Sequence, residues 1–414
     1  MKLWIGETIS GIGSNFSPIA IQFYAATVLV LQPLQFGILS ALGTLAFLVF
    51  GLPVGLWADR RRRKKTMIIT DVGRALILLS IPVAAILGTI SVELFYVVAL
   101  MTGILTVFFE ICYQSYLPSL IERRQLVEAN SKLQSTAATA QTVGPSLAVV
   151  VVSIITAPAA VIGDVIGYFT SAGFLAGIKK PEVAPLPAKS GARSALADIK
   201  EGLAVVLGDK RLRSIAGCTA TSNLFSSAWG AILFPYLLKE QGLSILALGP
   251  ILSIGAMGGI IGGVFASRIS RRLGIGRTII ATAFLFSVVQ SLLYFVTPSD
   301  AFYVLLPVFF GISFGGVVYN VAQVSFRQAL VSDALQGRMN ASIRTIVWGT
   351  LPIGGFLGGV LGQLFGYHTA VGISVAGGLL AFLWVLFSPV RKMKEIPNEP
   401  LIFSRHEIVP QPSK

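Results

Sequence analysis

Apolar runs long enough to cross a lipid bilayer recur along this chain at about residues 8–31, 35–57, 66–89, 92–113, 132–156, 158–178, 212–238, 245–268, 275–297, 301–327, 341–366 and 369–390. A hydrocarbon core about 30 Å thick takes roughly 20 apolar residues per helical crossing, so twelve crossings use roughly 240 residues. The chain has 414, which leaves room for short loops and one longer linker. Only 12% of its residues are charged, against about 25% in soluble globular chains. That balance excludes a soluble enzyme, a secreted disulfide scaffold and a single-anchor protein. The expected fold class is an all-α, polytopic membrane protein.

The loops between the runs sort by charge. Arg60–Lys65, Arg123–Arg124, Lys179–Arg213, Arg268–Arg277, Arg338 and Arg391–Lys394 alternate onto one face, and of 32 Lys and Arg only Lys239 falls in the opposite loops. Because basic loops stay cytoplasmic, both termini and the 179–211 linker are expected in the cytoplasm. The first run is too long for a signal h-region and lacks a small-residue cleavage site, so it reads as a retained crossing.

Net charge of +14 is explained by this placement and by contact with lipid headgroups; a nucleic-acid partner is not expected. Cys112 and Cys218 lie in or beside apolar segments and read as small buried residues. His368 and His406 do not make a metal site by themselves. No Gly-Lys dipeptide occurs, so an ATP-binding P-loop is absent. No metal or cofactor is expected, nor an enzymatic activity.

The chain repeats itself. Gly55-Leu-Trp-Ala-Asp59-Arg60, followed by Arg63-Lys64, matches Gly263-Val-Phe-Ala-Ser267-Arg268, followed by Arg271-Arg272; Asn130 and Gly144 likewise match Asn340 and Gly354. Related halves around a midplane site are the plan of secondary transporters. The expected units are 1–178, an N-terminal six-helix bundle; 179–211, a linker; 212–392, a C-terminal six-helix bundle; and 393–414, a cytoplasmic tail. In the linker, Leu196, Ile199, Leu203, Val206 and Leu207 recur at helical spacing, which predicts an amphipathic helix on the membrane surface or packed under the two halves.

Gly55 to Asp59-Arg60, then Arg63-Lys64-Lys65, resembles the signature loop of the major facilitator superfamily. Tyr113–Leu120, Leu126–Asn130 and Gly144-Pro145 resemble its bacterial drug:proton antiporter branch, with the macrolide-efflux proteins and enterobactin exporters. The resemblance implies twelve transmembrane helices in two pseudo-symmetric bundles. It also implies that Asp59 and its arginines bridge to the start of helix 11 and steady the outward-facing state. Gly144-Pro145 resembles the helix-5 antiporter motif, a bend with close packing.

Acids inside crossings carry the candidate chemistry, because a charge at the bilayer centre costs at least about 2.5–3.5 kcal/mol and is functional by default. Glu110, toward the cytoplasmic half of helix 4, is the first choice for proton coupling. Glu7 and Asp164 are also candidates, although Glu7 equally complements a helix dipole and Asp164 equally caps the outer end of helix 6. Arg327 and Arg344 read chiefly as snorkelling side chains at cytoplasmic helix ends. Asp71 and Arg74, three apart, share a helix face and are expected to pair structurally.

The expected activity is proton-coupled export of an amphipathic small molecule by alternating access, as a monomer. The cavity is expected to be apolar and aromatic, lined by Phe23, Tyr24, Phe108, Tyr113, Trp229, Tyr319, Asn320 and Trp348, with Glu110 as its acid. A dedicated exporter of one metabolite, such as a siderophore, is the alternative within the class. An ion channel or a non-transporting scaffold are alternatives outside it.

Overall fold

The computed structural model describes residues 2–58, 62–120, 136, 140, 143–179, 192–395, 397 and 399–403. These are almost wholly helical, with one isolated bridge between Val331 and Ile402. In chain order, α1 (Lys2–Gly13) and α2 (Phe16–Thr27) make a first crossing broken at Ser14-Asn15. Then come α3 (Pro33–Ala58), α4 (Arg63–Ile86), α5 (Val92–Leu120), α6 (Val143–Ile154), α7 (Ala157–Ala160) and α8 (Ile162–Ala176). The linker helix is α9 (Ala192–Gly208). The second half holds α10 (Lys210–Pro235), α11 (Ile245–Leu273), α12 (Ile275–Ser291), α13 (Ala301–Leu330), α14 (Asp333–Phe365), α15 (Tyr367–Leu379) and the short α16 (Leu383–Leu386).

Among the described residues nine helical segments are long and apolar enough to span, and Val143–Ile154 is a shorter apolar helix. The sequence led to twelve, and the difference has physical causes. The first crossing is split in two. The fifth is described as a helix only over Val143–Ile154, the earlier part of its run lying mostly outside the described residues. The seventh, α10, carries Thr219, Thr221, Ser222, Asn223, Ser226 and Ser227, too polar a set for lipid. Those groups are spent on neighbouring helices: Asn223 donates to the Val347 carbonyl (3.2 Å) and Ser227 to that of Leu351 (2.7 Å), while Gln290 donates to Ser226 (2.8 Å). Interhelical bonds of this kind let a polar helix sit inside a bundle. The narrow join between the fifth and sixth runs is real: Thr156 is extended and Pro158 opens α7, where a missing N–H costs nothing.

Two glycines make the tightest joints. Gly274 (φ 83°) alone separates α11 from α12, and Gly366 (φ 79°) separates α14 from α15. A side chain would strain that left-handed backbone.

The halves meet along α3 and α14. There, a Cβ added to Gly37 would lie 2.6 Å from the Gly359 Cα, and Gly355 abuts Ser40. This contact lies at the end where α3 begins and α14 finishes. It closes that half of the molecule, and a space between the bundles remains in the other half, toward the basic helix ends. The α9 helix packs on the start of α14, with Gly202 against the Arg338 backbone and Glu201 paired to Arg338 at 2.6 Å. The linker helix thus packs against α14 and α10 of the second half.

Candidate functional site

The space between the bundles is a cavity of about 940 Å³. From the first half, α1 contributes Glu7 and Ser10, the turn after it Ser14, α4 contributes Arg74, and α5 contributes Thr106, Phe109, Glu110 and Tyr113. From the second half come Thr219 and Asn223 of α10, Asn320, Gln323 and Arg327 of α13, and Asn340, Arg344 and Trp348 of α14.

One ion pair spans it. The Arg344 guanidinium donates to the Glu110 Oε2 at 3.0 Å, joining α14 to α5. Arg344 also lies over the Trp348 ring (4.1 Å to the centroid), and Trp348 meets Phe47 of α3 edge-on at 4.9 Å. Both charged side chains keep a third or more of their surface open, 33% for Arg344 and 40% for Glu110. Water therefore screens the pair, and its net contribution is about 1 kcal/mol or less.

Glu7 is on the same wall, with its Oε1 buried and without a hydrogen-bond partner. Beneath it, Asp71 and Arg74 pair as the spacing predicted, fully buried. The Arg74 guanidinium is held between the rings of Phe109 (4.5 Å) and Tyr168 (4.2 Å). That pair is a platform supporting the acidic side of the cavity.

Asp164 is elsewhere. It is 2% exposed, off the cavity wall, and its Oδ2 accepts from the Ser17 backbone N–H at 3.3 Å. It caps the first turn of α2 across the break in the first crossing, where the helix dipole favours an anion. Asn15, at the break, donates to the Gly11 and Ala140 carbonyls, and Gly144 of α6 packs against its side chain. Pro145 follows on the same helix. The helix-5 motif thus seats the broken turn of helix 1.

The aromatic residues expected in the cavity divide. Tyr113, Asn320 and Trp348 line it. Phe23 and Tyr24 pack into the core of the first half, Phe108 packs beside Ala46 and Val107, and Trp229 is buried in the second half. Tyr319 is one step back from the wall, its hydroxyl 2.8 Å from that of Thr219. The expectation of an apolar, aromatic lining is corrected accordingly: large rings bury more area in the cores, and amides and hydroxyls take the water-facing wall. Arg327 and Arg344, read from sequence as snorkelling, face this cavity instead. Arg327 has no acid within ion-pairing reach among the described residues, and its buried Nε has no acceptor.

Of the signature loop, Asp59 and Arg60 lie outside the described residues, Gly55 is within α3, and Arg63 starts α4. Lys64 donates to the Ala176 and Ile178 carbonyls at 3.1 and 2.6 Å, tying the loop to the C-terminal end of α8, where the dipole favours a cation.

The polar wall had a signal in the sequence. Asn320, Gln323 and Arg327 recur at spacings of three and four on a largely apolar helix, and Asn340, Arg344 and Trp348 recur at spacings of four on α14.

Helical halves around a central cavity are the plan of a secondary transporter. Residues 3–350 match the Major Facilitator Superfamily, and the chain belongs to that family. It is 24% identical over 404 residues to the multidrug efflux pump Tap of Mycolicibacterium fortuitum, covering 93% of this chain and 94% of that one. To macrolide efflux protein A of Streptococcus pyogenes it is 27% identical over 210 residues, 51% of each chain. Among solved structures, a bacterial homologue of the iron transporter ferroportin in its inward-facing state superposes with a TM-score of 0.71 at 16% identity, covering 93% of this chain and 97% of that one. The nucleoside transporter NupG superposes with a TM-score of 0.66 at 14% identity, covering 93% and 97%. The chain is a multi-pass membrane transport protein with a small-molecule substrate.

Proposed function

We propose that this protein is a proton-coupled exporter of amphipathic organic compounds in a bacterial inner membrane, with both termini and the linker cytoplasmic and the halves dividing at 179–211. The observation that carries the reading is the Glu110–Arg344 pair across the cavity. A carboxylate that binds the opposite bundle only while ionised converts proton uptake into loss of an inter-bundle contact. Glu7, with its unpartnered oxygen on the same wall, is the second protonation site. Basic helix ends at the cavity side support a state open toward the cytoplasm. Similarity to two efflux proteins supports the outward direction of transport.

The cavity's mixture suits an amphipathic substrate: Phe109, Tyr113, Ile343 and Trp348 offer apolar surface, and Asn223, Asn320, Gln323 and Asn340 offer hydrogen bonds. So many amides also support a second reading, a dedicated exporter of one polar metabolite, since a wall built to hydrogen-bond a substrate disfavours ligands that leave its amides unpaired. Everted vesicles carrying the protein test the main reading. An imposed proton gradient should drive saturable accumulation of an amphipathic substrate, abolished by Glu110→Gln and by a protonophore. Accumulation indifferent to the protonophore would refute proton coupling. A screen of macrolides, tetracyclines, dyes and catecholates separates broad from dedicated export.

A further inference from the structure

A second built site lies on the outside of the second half, at its basic end. The segment after α16 turns back and is pinned to the start of α12. Ile275 N–H donates to the Lys394 carbonyl (3.0 Å) and Gly276 N–H to that of Met393 (2.9 Å), and the Gly276 Cα fits tightly against the Val390 carbonyl. This fixes Arg391 and Lys392 beside Arg277 around one groove of about 540 Å³. All three are exposed, and none has an acid partner among the described residues. Three like charges around one groove repel one another, and an anion between them would relieve that repulsion.

The rest of the groove is apolar and runs away from the charges along two helices. Ile280 and Phe284 follow Arg277 at one and two turns on α12, roughly 5 and 10 Å deeper at 1.5 Å per residue. Phe382 and Leu386 form the facing wall, and Phe284 meets Phe382 edge-on at 5.1 Å. Phe284 remains 48% exposed on this lipid-facing surface. A cationic rim at the headgroup level above an apolar channel about an acyl half-chain deep matches one kind of molecule. We propose that this groove is a binding site for an anionic phospholipid of the leaflet at the basic end, its phosphate between Arg277, Arg391 and Lys392 and an acyl chain along Phe284 and Phe382. Basic pockets between transmembrane helices hold acidic headgroups by the same balance of charge and burial.

The test is lipid retention by the purified full-length chain. Native mass spectrometry after exchange into mixed micelles should show dioleoyl-phosphatidylglycerol retained over dioleoyl-phosphatidylcholine by at least about tenfold. The triple variant Arg277→Gln, Arg391→Gln, Lys392→Gln should lose that preference. A control triple on the neighbouring helix, Arg268→Gln, Arg271→Gln, Arg272→Gln, removes equal charge without touching the groove and should keep it. Phe284→Ala, with every cation in place, should weaken retention of both lipids, and inorganic phosphate should not displace the bound lipid. Equal loss in both triples would reduce the effect to diffuse surface charge and overturn the site. Displacement by inorganic phosphate, or unaltered retention in Phe284→Ala, would overturn the phospholipid as its occupant.

Discussion

Glu110 and Arg344 are 234 positions apart in sequence and 3.0 Å apart in space, one on each half of the molecule. Each faces open cavity as well as its partner, so the contact is weak enough to be made and broken within a transport cycle. Glu110→Gln should leave thermal stability within about 1 kcal/mol of the wild type, consistent with a screened pair, while removing the pH dependence of transport. Arg344→Gln should do the same, and the double variant should be no worse than either single one. Wild-type proton-driven rates in Glu110→Gln would sink the assignment.

The buried pair beneath it behaves differently. Asp71 is 0% and Arg74 5% exposed, so Arg74→Met strands a carboxylate in the interior. The expected cost is about 3–5 kcal/mol, read as a large drop in the detergent unfolding temperature. Asp71→Leu combined with Arg74→Met should recover most of it, because replacing both charges removes the desolvation penalty as well as the attraction.

Arg327 is a charge on the cavity wall with no protein counter-ion among the described residues. Arg327→Gln should therefore alter substrate selection more than folding. The measurement is apparent affinity for anionic, neutral and cationic substrates sharing one apolar body. The anionic member should lose affinity by tenfold or more, about 1.4 kcal/mol, and the cationic member should gain. Equal changes across all three would remove Arg327 from substrate recognition.

Asp209, outside the membrane, offers a pH test. Burial pushes its carboxyl up, but the Arg211 side chain and the Leu212 and Arg211 backbone N–H groups that bond it outweigh that and leave it below the usual range. A depressed carboxyl contributes stability above its unfolded value of about 3.9 and loses it as pH falls through the folded value. Asp209→Ala should cost about 1 kcal/mol at neutral pH as a lost helix cap. The gap in unfolding temperature from the wild type should close on acidification below about pH 4. A gap that widens with acid would contradict this.

Closure at α3 and α14 makes the last prediction. Gly37→Leu places atoms where Gly359 sits, so this state should be depopulated. A cysteine at Gln35 should then label faster from the side opposite the linker. An unchanged rate would show that the glycine contact does not hold the gate.

Much of the fold was legible in the sequence because lipid imposes one rule on every crossing: a run of apolar residues long enough to satisfy its own backbone. Where a crossing is shielded by protein, the rule relaxes. The polar α10 and the broken α1–α2 turn are both such cases: neither is a single helix both long and apolar enough to span by itself. At the site, an acid in an apolar run was conspicuous, so Glu7 and Glu110 stood out. Their partners did not. Arg344 near a helix end looks the same in sequence whether it reaches for headgroups or for Glu110, and only the packing of α14 against α3 decides. The aromatic residues misled for a related reason: Trp229 and Phe23 have the composition of a drug pocket and the positions of a core.

At its closed end the α3–α14 contact is made by small residues: Gly37 and Gly359 meet backbone to backbone, and Gly355 abuts Ser40. It carries no information about cargo, whereas Arg327, Gln323 and Asn340 carry little about closure. Closure at this end thus rests on residues other than those that line the cavity. A lineage could exchange the amides and arginine of the wall, and so acquire a new cargo, without retuning the machine that moves it.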